Sequence, residues 1–123
     1  MEFFQTLPNV STRPDELKKL LTMTRLPALC ASIDSVGCAR DDGGEIYCLW
    51  GGFSVRREEI LNGVRFSLLD CPHALAWSVT TDPEAGRLIV HCTIDKSERE
   101  ADFVESIERF VRDWGDGLAR SFA

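Results

Sequence analysis

Asp70-Cys71-Pro72-His73 is the densest group of reactive side chains in this 123-residue chain. A cysteine two residues from a histidine suits a thiol nucleophile with a base at hand, as in a small thiol-based enzyme or a redox sensor. No third member of a triad stands out, and the neighbouring carboxylate of Asp70 opposes a thiolate rather than assisting it. The plainer alternative is a tight turn in which Pro72 fixes the backbone, Cys71 packs inward and His73 faces water. His91-Cys92 invites a metal reading, but adjacent strand residues point to opposite faces and do not easily share one ion. His91 then reads as a partly exposed strand residue and Cys92 as core. Trp50 and Phe53 flank Gly51-Gly52 and suit the wall of a ligand pocket, although most such aromatics in small domains are core. The candidate catalytic residues are Cys71 and His73. The candidate binding residues are Trp50, Phe53, Ser78 and His91.

Several chemistries find no motif. The glycines form neither a Gly-x-Gly-x-x-Gly nor a Walker pattern, and there is no serine nucleophile elbow or His-Glu-x-x-His. Five cysteines at wide spacing, with no Cys-x-x-Cys, do not form a disulfide framework or a zinc ribbon. Free cysteine is among the most buried residue types, so reduced cysteines, mostly in the core, are expected. No metal and no cofactor is expected. The net charge of −6 disfavours nucleic acid and anionic membranes, and no basic stripe offsets it. Lys18-Lys19 and Arg56-Arg57 both sit beside acidic residues and read as solvated mixed-charge surface. No apolar run is long enough to span a bilayer, and the first residues lack a basic signal-peptide region. A cytoplasmic location is the expectation.

The elements that must hold these residues can be read from periodicity. The length fits one domain over 1–123. Residues 1–11 read as an irregular arm. A helix follows, with Thr12 as N-cap, Pro14 in the first turn, and Leu17, Leu20 and Leu21 on one face, ended or kinked by Pro27 near Arg25. Residues 28–37 fit a helix and a strand equally well. Asp41-Asp42-Gly43-Gly44 marks a turn. Five strand candidates follow at 45–50, 53–60, 64–70, 75–81 and 87–95, with connections short enough to force antiparallel neighbours. Asn62-Gly63 is a hairpin signal, though residues 54–61 also suit a short helix. In the 75–95 hairpin, Trp77 is expected opposite Cys92 and Ser78 opposite His91. Residues 98–118 read as an amphipathic helix opened by a Ser97–Glu100 capping box and weakened by Gly115 and Gly117 after Trp114.

The fold class predicted is α+β: an N-terminal helix, an antiparallel meander of four to five strands, and a C-terminal amphipathic helix packed on one sheet face. The hairpin followed by the helix carrying Phe103, Val104, Phe110, Val111, Trp114 and Leu118 resembles small bacterial chaperones of the secretion type. That resemblance covers residues 75–118 and implies an apolar sheet face or groove that holds a protein segment. The leading expectation is a non-enzymatic binding or adaptor protein. Strand 45–50 is apolar on both faces, and either the two helices with the short N-terminal arm or a second copy of the chain completes its cover; the partner expected is a protein or the chain itself, as a homodimer. The rival readings are the Cys71/His73 thiol protein and a small-ligand carrier with a pocket at Trp50, Phe66 and Trp77 between sheet and helix.

Overall fold

The computed structural model describes residues 1–95 and 100–123. It is α+β, with one seven-stranded antiparallel sheet and a long C-terminal helix. Strand β1 (Glu2–Pro8) leads to helix α1 (Pro14–Leu20), a 3-10 turn (Met23–Arg25) and the short helix α2 (Leu26–Leu29). Strands β2 (Ile33–Arg40), β3 (Gly43–Cys48), β4 (Gly51–Ile60), β5 (Gly63–Leu68), β6 (Ala76–Asp82) and β7 (Arg87–Thr93) form a meander. Helix α3 (Ala101–Ser121) ends the chain, and β1 returns to pair beside β7.

The sheet has seven strands against the four to five expected, and the two outside the five candidate segments, β1 and β2, are its edges. Residues 2–8 are not an irregular arm: Phe3 pairs with Cys92 and Leu7 with Leu88. Local pattern hides this because β1 finds its hydrogen-bond partner on β7, far along the chain. The segment at 28–37 divides, α2 ending at Leu29 and β2 starting at Ile33. Two register shifts, between Ile33 and Ser35 and between Gly37 and Arg40, break the alternation that would have identified β2. Residues 54–61 lie largely in a ten-residue strand rather than a helix, because β4 pairs along both sides.

The N-terminal helix is shorter than its pattern suggested. It stops at Leu20, and Pro27 lies in the first turn of α2, where its missing N–H costs nothing. Thr12 is not the cap. Arg13 holds that position, while the Thr12 hydroxyl donates to Glu16 Oε2 at 3.1 Å and its carbonyl accepts from Thr81 Oγ1 at 3.1 Å. Ser97 of the expected capping box lies outside the described residues. Helix α3 does not fray after Trp114 but runs through both glycines to Ser121.

One face of the sheet carries the core. Phe66 faces Trp77, and Trp77 faces Cys92, so large side chains line up across β5, β6 and β7. Phe110 and Trp114 of α3 close over them, with Trp77 edge-on to Phe110 at a ring separation of 4.9 Å. The indole N–H groups of Trp77 and Trp114 have no hydrogen-bond partner among the described residues. Among the described residues no helix covers the other face of the sheet, where Phe4 is 60% and Tyr47 58% exposed.

Candidate functional site

The β3–β4 turn, the β5–β6 turn and the start of α3 meet at one end of the sheet. Antiparallel order brings them together, since β3 and β5 finish at the end where α3 begins. They enclose a cavity of about 190 Å³ lined by Trp50, Phe53, Cys71 and His73 together with Leu68, Leu75 and Phe103. Four of the six residues singled out from sequence therefore share one lining. Pro72 and Ala74 keep the turn tight: Ala74 has φ +49°, and its amide donates to Cys71 O at 3.0 Å.

The lining is mostly apolar, and its polar edges are held elsewhere. Trp50 Nε1 donates to Ser106 Oγ at 2.8 Å, and Ser106 Oγ donates in turn to the Phe103 carbonyl. This ties the β3–β4 turn to the first turns of α3 and leaves the indole ring facing Phe103 and Phe110. The His73 ring lies 4.4 Å from the Phe103 ring, centroid to centroid. Cys71 is half-buried.

Ser78 and His91 face the opposite side of the sheet and belong to no common site with that cavity. They are cross-strand partners, as the hairpin register predicts. His91 stacks on Phe4 at 4.4 Å with the rings 7° from parallel, and its Nε2 is 2.9 Å from Glu2 Oε1. These contacts dock β1 onto β7. Cys92 lies in the core behind His91, so the two do not converge on an ion. Among the described residues no three His, Cys, Asp or Glu side chains are grouped to hold a metal.

The buried thiols set a pH dependence. Burial pushes Cys30 and Cys92 up to about 12, and raises Cys48 for the same reason. The folded state holds these protons more tightly than the unfolded chain, whose thiols titrate near 9. The associated stability is complete below that value and is lost as pH rises from there towards 12. Two such thiols are expected to lower the folding constant by a factor approaching about a hundred per pH unit within that window. Urea titrations between about pH 8 and 10 check this against a Cys30→Ala/Cys92→Ala variant. An equal fall in both proteins would assign the effect to other groups.

Sequence reasoning missed the role of Arg57. It is not solvated surface: its side chain is 6% exposed and points to the core face. Nε donates to Leu21 O at 2.7 Å, Nη2 to Lys18 O at 3.0 Å, and Nη1 to Asp41 O at 3.0 Å and Glu59 Oε2 at 3.2 Å. One guanidinium thus satisfies the C-terminal carbonyls of α1 and anchors the β2–β3 turn. The one available signal was a violation of alternation, a charge at the inward position after Phe53 and Val55.

No protein-family model and no curated protein matches this chain. Solved structures share its fold. The protein XoxI from Bacillus cereus superposes with a TM-score of 0.64 at 15% identity, over 98% of this chain and 94% of that one. An uncharacterised protein from Bacillus thuringiensis gives 0.63 at 14% identity, over 99% and 98%. At these identities the likeness is one of fold. Among the described residues no helix is long and apolar enough to cross a membrane.

Proposed function

We propose that this chain is a non-enzymatic binding protein that seats one apolar side chain of a protein partner in the cavity at Trp50, Phe53 and Phe103. The observation that carries the reading is the cavity's lining, three aromatic rings and two leucines at one end of the sheet. Its volume suits a single anchoring side chain rather than a drug-sized ligand. Leu49 and Leu69, exposed on the two turns that supply the lining, offer further apolar surface there. The carrier reading has less support, because Phe66 and Trp77 are packed against Phe110 and Trp114.

Selection of displayed random peptides on the purified protein tests the proposal. Enriched peptides are expected to share one aliphatic or aromatic anchor and to lose binding to a Cys71→Phe variant, whose ring occupies the cavity. No enrichment, or peptides that bind that variant equally well, would remove the reading. The thiol alternative keeps one supporting observation, that Cys71 and His73 line the same hollow. Alkylation of Cys71 no faster than of exposed Cys38 would count against it.

A further inference from the structure

A second cavity lies between the connection that follows α1 and the β2–β3 turn. At about 660 Å³ it is the larger of the two, and its volume falls in the range of small-molecule sites, roughly 300–1,000 Å³. Its lining is charged. Lys18, Arg25, Arg40 and Arg57 all contribute, against two carboxylates, in a chain whose net charge is −6. Glu59 is paired with Arg57 at 3.2 Å, which leaves Asp41 as the carboxylate facing the other cations. Arg40 is 3.5 Å from Asp42 and well exposed. Lys18 and Arg25 are therefore the cations most available to a ligand.

Two further features narrow the class of ligand. Thr22 and Thr24 add hydroxyl donors to the lining, their oxygens 3.5 Å apart. Arg57 forms part of the wall although nearly all of its side chain is buried. Its four hydrogen bonds use four of the five guanidinium hydrogens, leaving one on Nη2 without an acceptor among the described residues. Surplus positive charge with several hydrogen-bond donors suits an anion with many acceptor oxygens. Met23 and Ala39 are the apolar residues named in that lining, beside four cations and two threonines.

We propose that this cavity binds the phosphate group of a small phosphorylated metabolite. Lys18 and Arg25 supply charge, Thr22 and Thr24 donate hydrogen bonds, and Arg57 closes the floor. The site is separate from the Trp50 cavity and does not depend on the function proposed for it.

Titration of the full chain with glycerol 3-phosphate and with inorganic phosphate, at constant ionic strength, tests the proposal. Amide chemical shifts and calorimetry read the binding, with glycerol and chloride as controls. Saturable binding of glycerol 3-phosphate is expected, with shifts centred on residues 22–25 and 39–41. A Lys18→Gln/Arg25→Gln variant, altered at one half-buried and one exposed side chain outside the core, is expected to bind about tenfold or more weakly. An Arg120→Gln variant, changed at the far end of α3, is expected to bind as the parent does. Absence of saturable binding would overturn the proposal, as would affinity unchanged in the double variant or shifts matched by chloride.

Discussion

Replacing Gly117 by alanine is expected to destabilise the protein by about 3 kcal/mol, although helix propensity alone favours the change by about 1 kcal/mol. The sign reverses because of what α3 packs against. A Cβ built at Gly117 runs into the backbone carbonyl of Leu29, at the end of α2. Backbone cannot rotate away as a side-chain tip can, so α2 must shift. That shift would disturb buried neighbours, including Cys30, whose thiol donates to Phe110 O at 3.8 Å, and Ser32, whose hydroxyl donates to Asp113. Gly115 is the matched control. A Cβ there meets Gln5 Cγ at 2.7 Å, part of a flexible, half-buried side chain on edge strand β1. Gly115→Ala is expected to fall within about 1 kcal/mol of the parent, as the propensity gain offsets the repacking. Urea denaturation of both variants decides it. Equal effects at the two positions would mean that α3 does not approach α2 as closely as described.

Replacing Arg57 by methionine is expected to cost about 3 kcal/mol or more. The substitution keeps much of the volume but removes every donor. Leu21 O, Lys18 O and Asp41 O would lose their partner, each in a partly or fully buried setting. The loss falls on two elements at once: the end of α1, and the β2–β3 turn, which is also held by the Arg57 amide donating to Asp42 O at 2.8 Å. Arg57→Lys separates charge from geometry. It retains the cation but cannot reach carbonyls on two sides, so its stability is expected between those of the parent and the methionine variant. Glu59 contributes little by comparison, since its side chain is 54% exposed and solvent weakens the pair. A methionine variant as stable as the parent would show that these carbonyls find water instead.

Much of the architecture is legible before any coordinates. The β6–β7 hairpin follows from strict alternation in Leu88, Val90 and Cys92 against Trp77 and Val79, and its register is the one expected. The long final helix follows from apolar residues recurring every three to four positions. Asn62-Gly63 correctly separates two strands, with Gly63 itself the first residue of β5. The illegible elements have different causes. β1 is stabilised by a strand at the opposite end of the chain, β2 is bulged, and Pro27 is compatible with both ending and starting a helix. Local pattern carries no information about partners remote in sequence.

The candidate site divides in the same way. Residue type alone marks out Trp50, Phe53, Cys71 and His73, because rings and a thiol beside a histidine in Gly- and Pro-rich turns are unusual enough to notice. That they share one cavity, while Ser78 and His91 lie behind the sheet, depends on strand order and on where α3 begins. Arg57 is the sharpest case. Its sequence neighbours Arg56, Glu58 and Glu59 describe a charged surface, and only the alternation of β4 turns this one residue inward. The sequence by itself determined the class of fold, the hairpin register and the residue types available for chemistry, since these depend on periodicities of two and 3.6 within short windows. Tertiary structure decided the edge strand β1, the close approach at Gly117, the cavity at Trp50 and the buried position of Arg57. Each of these is a contact between segments far apart in the chain, and its energy depends on atoms that no local window contains.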